Sequence, residues 1–292
     1  MNKKSLPTTI IDADKRISPA LASTLQSILL LFCLLFPLSF MQLILHEGGH
    51  ALIHLILGGR IDVFYAHPFA LDGYVRPILY WDNVWTHVSG PVVAILVSLL
   101  IFTLFWKRRS LTILPIVLLF PWSAIRASMG LINLAAKTGD YYNIIQITGM
   151  PATVFYIMGF ILAVVGIFFF ISLFPLLGLA PEELSSLFVV PAGLFLWGLL
   201  GIGVAYLCVP GSRIDVQYHM GASLLMSVKI YPFLGAVMGA LLAVIYITLY
   251  RRVYKSLPAG LQTDIVSLSW RDLRNPSLLF TISVILGIIA IH

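Results

Sequence analysis

The sequence predicts an all-α polytopic membrane protein of about six or seven transmembrane helices, with a small membrane-associated β-hairpin after the first. Three observations carry that expectation. Of the 292 residues, 60% are hydrophobic and only 10% charged, and mean hydropathy is +0.99, more apolar surface than a soluble core of this length needs. The apolar residues fall in long runs, and about 20 of them suffice to cross the hydrocarbon of a bilayer. The basic residues gather at the ends of these runs, as Lys3 and Lys4, Lys107 to Arg109, and Arg251, Arg252 and Lys255.

That last pattern also limits the function. Net charge is +6, but charge placed at segment ends sets topology, and no nucleic-acid partner is expected. Cys33 and Cys208 are single and lie in apolar runs, so neither a disulfide framework nor a cysteine metal site is implied.

Residues 1–21 read as a cytoplasmic N-terminal tail, polar to residue 18. The first apolar run, Ala22 to Leu57, is too long for a signal peptide and lacks a small-residue cleavage site after it, so it is expected to be retained. It exceeds one membrane thickness and must tilt, kink at Pro37 or project beyond the hydrocarbon. Gly58 to Asp82 breaks the helical pattern. Ile61, Val63 and Tyr65 alternate, His67-Pro68 and Asp72-Gly73 supply turn chemistry, and Tyr74-Val75 and Ile78 to Trp81 return. A hairpin over 60–82 is expected, at the membrane surface or dipping into it, with an ordinary amphipathic loop carrying aromatic interface anchors as the alternative.

The second span covers Val84 to Trp106 and opens on Ser89-Gly90-Pro91, small residues that let helices approach closely. The third runs from Leu111 to about Leu134 and includes Arg126. Residues 135–150 form a polar interruption holding Asp140. Further spans are expected at Ala152 to Phe174, Val189 to Cys208 and about Val228 to Tyr250, the last with Gly235 and Gly239 as a G-x-x-x-G packing face. Leu278 to Ile291 is short for a span. No repeat or separable soluble domain is evident. The organisation is a tail (1–21), a core (22–150, three helices plus the hairpin) and additional helices of the same membrane domain (151–292). With the N-terminus inside, most Lys and Arg residues face the cytoplasm, so a multi-pass integral membrane protein with a cytoplasmic N-terminus is expected.

The chemistry concentrates near the end of the first span, where His46-Glu47-Gly48-Gly49-His50 forms an H-E-x-x-H pattern. Positions i and i+4 share a helix face, so both imidazoles can converge on one metal ion while Glu47 reaches toward water as a general base. Ionisable residues in an apolar helix cost about 2.5–3.5 kcal/mol each on insertion scales, which argues against an idle trio. Two histidines leave a catalytic zinc one protein ligand short. Asp140 is the leading candidate, because the end of the third span can fold back beside the first. Asp72 and His67 remain open as rivals. His54 continues the series but lies too far along the helix to share an ion with His46.

His46 to His50, Ser89-Gly90-Pro91, Asn133-Leu134 and Gly139-Asp140 occur in the order seen in site-2-protease-like intramembrane zinc metalloproteases, and the chain resembles that family over roughly residues 28–150. The resemblance implies that His46, His50 and Asp140 bind zinc and that Glu47 is the catalytic base. The Gly-Pro segment would open the second core helix. The sequence departs from the family where Ala135-Ala136 and Tyr141 replace Leu-Pro and Gly, and where Ala94 stands in place of a frequent asparagine. The implied reaction is zinc-assisted hydrolysis of a peptide bond in a transmembrane or membrane-proximal protein substrate within the lipid bilayer. Arg126 or Asn133 would contact substrate, and the hairpin would hold an unwound segment as an added strand. The competing expectations are a degenerate, non-catalytic relative that binds membrane clients, or a transporter. The oligomeric state is not legible.

Overall fold

The computed structural model describes residues 19–66, 73–78, 83–135, 137, 139–180, 186–208, 231–252 and 265–291. Most of them are helical. The elements are α1 (Pro19–Ile56), β1 (Ile61–Ala66), β2 (Gly73–Pro77), α2 (Val84–Phe105), α3 (Leu114–Ala135), α4 (Gly139–Thr148), α5 (Ala152–Ser172), α6 (Ser186–Cys208), α7 (Tyr231–Arg252) and α8 (Arg274–Ile291). Among the described residues, five helical stretches are long and apolar enough to cross a membrane: Ala22–Ile56, Val84–Arg108, Leu111–Ser128, Ala152–Ser172 and Pro232–Leu249. A shorter apolar stretch, Ser186–Leu200, lies in α6.

The long helix α1 is central. Its 38 residues extend about 57 Å at 1.5 Å per residue, nearly twice a hydrocarbon core of about 30 Å. Cys33 to Ser39 are buried at every consecutive position, which a helix of 3.6 residues per turn shows only when neighbours cover it on all sides. Those neighbours include α2, α3, α6 and α8. Leu30, Leu34 and Leu38 of α1 join Leu114 and Leu118 of α3, Phe170 of α5, Val190 of α6 and Tyr246 of α7 in one core. Pro37 sits within α1 without ending it.

The end of α1 follows from two glycines. Gly58 has φ +81°, a left-handed conformation that costs a residue with a side chain. The Gly58 N–H donates to the Leu55 carbonyl at 3.1 Å and the Gly59 N–H to the His54 carbonyl at 2.9 Å, the paired bonds of a Schellman stop. The chain then enters β1, which pairs antiparallel with β2 in the register Val63↔Arg76, Phe64↔Val75, Tyr65↔Tyr74 and Ala66↔Gly73. The hairpin packs on α1. Among the described residues its second strand ends at Pro77, and the Ile78 N–H still donates across to the Arg60 carbonyl at 2.8 Å. His67 and Asp72 lie outside the described residues, as do residues 79–82.

In α2, Val92, Leu96, Leu100 and Leu104 face outward, while Gly90, Ala94, Ser98 and Phe102 are buried. A buried face of mostly small residues with branched apolar residues outside would suit a lipid-facing helix, since lipid is as apolar as leucine and close packing must hold helices together. The G-x-x-x-G face of α7 shows the same physics. A side-chain carbon at Gly235 would come within 2.8 Å of the Leu194 carbonyl oxygen, and one at Gly239 within 2.6 Å of the Pro191 Cα, so both glycines seat α7 on α6. The Tyr246 hydroxyl donates to the Leu179 carbonyl at 2.7 Å and ties α7 to the chain beyond α5.

The polar stretch after the third span is not simply an interruption. After α3 the chain turns through Lys137 (φ +58°) and Gly139 (φ +77°), and residues 139–148 form the short helix α4. This reversal lays α4 against both α2 and α3 and puts Asp140 in its first turn.

Candidate metal centre

Three elements meet near the C-terminal end of α1. His46, Glu47 and His50 come from α1, Thr86 and His87 from α2, and Asp140 from α4. A local device sets each. In α2, the Asn83 side chain accepts hydrogen bonds from the N–H groups of Trp85 (2.9 Å) and Thr86 (3.1 Å), a capping box with Thr86 that starts the helix at Val84. One turn later, Gly49 and Gly90 let α1 and α2 touch. A Cβ at Gly49 would meet the Gly90 Cα at 2.9 Å, and a Cβ at Gly90 would collide with the His50 ring. In α4, the first-turn position favours the Asp140 negative charge through the helix dipole.

The resulting geometry is compact. His46 Nε2 lies 3.2 Å from Asp140 Oδ2, His50 Nε2 lies 3.3 Å from the same oxygen, and the two Nε2 atoms are 3.2 Å apart. A tetrahedral ion held by nitrogen and oxygen at about 2.0–2.1 Å has ligand–ligand edges of about 3.3–3.4 Å. All three sides come within about 0.2 Å of that spacing, and the cluster can hold a metal ion.

Tautomer chemistry points the same way. His50 Nδ1 bonds the Thr86 carbonyl, and since a carbonyl only accepts, Nδ1 carries the proton and Nε2 of the neutral ring carries the lone pair. That lone pair faces a carboxylate oxygen and a second imidazole nitrogen. One proton could serve a single edge of the triangle at a time; a cation at its centre serves all three. A carbonyl orienting the far nitrogen of a ligating histidine is also the usual outer partner of such a site.

Asp140 is held as an anion. Burial alone would raise its carboxyl, but the imidazoles of His46, His50 and His87 around it outweigh that and hold it well below the usual carboxylate range. The neighbouring Tyr141 hydroxyl is pushed up to about 12, first by burial and then by the Asp140 charge. Tyr141 therefore stays protonated, with its ring seated on Gly130 of α3.

Of the residues singled out in the sequence, His46, His50 and Asp140 come together, and Glu47 is buried on the same turn of α1. Arg126 is half-buried on α3, one turn before Gly130; the hydrogen bonds described for Asp140 go to histidines. The side chain of Asn133 lies outside the described residues. His54 is buried and outside the cluster, and its Nδ1 has no hydrogen-bond partner among the described residues. The sequence reading passed over His87, whose Nδ1 is 3.4 Å from Asp140 Oδ1. Its signal was an ionisable residue in an apolar helix, three positions before Gly90.

These features define a helical chain with long apolar helices, suited to a membrane, and a two-histidine, one-carboxylate cluster inside it. Comparison with protein families, curated proteins and solved structures finds no match to this chain.

Proposed function

We propose that the protein is an intramembrane zinc metalloprotease of the site-2-protease-like kind, hydrolysing peptide bonds of membrane-embedded or membrane-proximal protein segments. The observation that carries this reading is the triangle of His46 Nε2, His50 Nε2 and Asp140 Oδ2 with edges of 3.2–3.3 Å, with Glu47 buried on the same turn of α1. Two imidazoles and a carboxylate form a three-ligand set that suits zinc and leaves a fourth position open. Six or seven spans, with a cytoplasmic N-terminus, complete the proposed topology.

Zinc held there would supply Lewis acidity toward water and a substrate carbonyl. The remaining work falls to the chain. His46, His50 and Asp140 bind the ion. Thr86 fixes the His50 ring. Glu47 takes a proton from the attacking water and returns it to the leaving amine. A substrate helix hides its carbonyls in i→i−4 bonds and must unwind before attack. The two-stranded β1–β2 sheet offers strand edges on which an extended segment can lie.

Glu47→Gln tests the reading, since glutamine keeps the shape but accepts no proton. The variant should fold and retain metal while cleavage of a membrane-embedded peptide falls by at least about 10²-fold. Unchanged cleavage with metal in place removes Glu47 as the base. Wild-type protein that binds zinc yet cleaves none of a broad panel of helix-destabilised membrane peptides supports a non-catalytic binding protein instead.

A further inference from the structure

We infer that His87 is a positioning residue for the metal site: it holds the second oxygen of Asp140, so that this carboxylate offers a single oxygen to the ion. The inference rests on the metal-site reading above and adds to it how the open coordination position is kept open.

The two oxygens of Asp140 face different ways. Oδ2 lies 3.2 Å from His46 Nε2 and 3.3 Å from His50 Nε2, whereas Oδ1 faces His87 Nδ1 at 3.4 Å. His87 is buried and stands outside the ligand triangle, so it is a neighbour of the cluster and not a fourth corner. Its place is built in, since it follows Thr86, whose N–H is held by the Asn83 cap and whose carbonyl bonds His50. One short segment of α2 thus orients two of the three ligands, His50 through Thr86 and Asp140 through His87. From α4, the amide nitrogen of Asn143, three residues beyond Asp140, stands 3.5 Å from His87 Nδ1; it cannot accept the Nδ1 proton and is too distant to claim an Nδ1 lone pair, so the proton is left to Asp140 Oδ1. The 3.4 Å separation is long for a hydrogen bond, but the facing carboxylate selects Nδ1 as the protonated nitrogen, because only that tautomer donates.

The chemical consequence is specific. A carboxylate with both oxygens free can chelate, and the second oxygen would fill the position that a catalytic site keeps for water. A donor on Oδ1 prevents that and fixes the rotation of the carboxylate, as outer partners of metal ligands do.

The test uses purified full-length protein in detergent, loaded with cobalt(II) or zinc. Four-coordinate cobalt absorbs visible light more strongly than five-coordinate cobalt, so the spectrum reads coordination without any assay of activity. His87→Leu keeps bulk without a donor, His87→Ser removes bulk and reach, and His87→Asn places an amide N–H where Nδ1 stood. The Leu and Ser variants should bind zinc about 10- to 100-fold more weakly and show weakened cobalt absorption, while Asn moves both back toward wild type. If the Leu variant fails to fold, the Ser and Asn pair carries the comparison. Wild-type affinity and spectrum in the Leu and Ser variants would overturn the inference, as would an Asn variant indistinguishable from Ser. Failure of the metal reading is distinct: wild-type protein would then take up neither ion.

Discussion

The imidazole of His50 lies against the Cα of Gly90, so closely that a side-chain carbon at position 90 would overlap its Nε2, with Cε1 at 2.6 Å and Cδ2 at 2.8 Å. The glycine of Ser89-Gly90-Pro91 is therefore the floor beneath one corner of the candidate metal cluster, beyond any role in bringing α1 and α2 together. Gly90→Ala should displace the His50 ring and lose most of the bound metal while the helices still form. Gly48, two residues before His50, has nothing within 4 Å of a built Cβ. Gly48→Ala should keep the metal and leave stability unchanged or raise it by up to about 1 kcal/mol, the helix cost of glycine. Metal content of the two purified variants checks both expectations.

Removing any corner of the triangle should empty it. His46→Ala, His50→Ala and Asp140→Asn each leave two ligands, and the ion is then held mostly by water. Asp72→Asn should retain metal, because Asp140 completes the cluster. Metal analysis of the four proteins decides this, and loss in Asp72→Asn with retention in Asp140→Asn would reverse the assignment.

Helix packing away from the site is testable in the same preparations. A carbon at Gly239 would meet the Pro191 Cα, the Pro191 nitrogen and the Val190 carbonyl carbon at 2.6–2.9 Å, and backbone cannot swing aside as a side-chain tip can. Gly239→Ala should destabilise the fold by about 1–3 kcal/mol, as overpacking does. Val237 faces outward on the same helix, and Val237→Ala should stay within about 0.5 kcal/mol of wild type. Unfolding in detergent by denaturant measures the difference.

The parts of this structure that were legible in the sequence are those written in local pattern. Apolar run length placed the long helices, Gly58-Gly59 marked the end of α1, and the alternation at Ile61, Val63 and Tyr65 announced the hairpin. The i, i+4 spacing of His46 and His50 set two corners of the site before any tertiary information. The third corner was harder, because Asp140 and Asp72 each stand in a polar stretch that could fold back. What separates them is the reversal through Lys137 and Gly139, a pair of left-handed residues of which only the glycine is suggestive. Helix α4 was hidden because its ten residues are too few and too polar to read as a span. His87 was hidden for a related reason: its partner is 53 positions away in the chain, and no spacing rule links an α2 histidine to the far oxygen of Asp140.

The site also joins elements that the rest of the fold connects only lightly. His46 and His50 belong to the central helix, whereas Asp140 belongs to a ten-residue helix whose small satellite core buries, among the described residues, Leu134, Ile144 and Phe155. An ion shared between α1 and α4 would fasten the small helix to the large one, and binding that is confined to the folded state stabilises it by mass action. Free zinc at about 100 times its dissociation constant should then add about 2.7 kcal/mol, and at about 1,000 times about 4.1 kcal/mol. Chelation should lower the unfolding temperature of the wild type and expose amides of α4 to hydrogen exchange before those of the α1 core around Leu34. Glu47→Gln should respond to chelator as the wild type does, because Glu47 stands outside the cluster of His46, His50 and Asp140. Asp140→Asn and Gly90→Ala should start from the chelated value and show little further response. A wild-type unfolding temperature indifferent to zinc and chelator, measured alongside metal content, would show that no ion bridges the two helices.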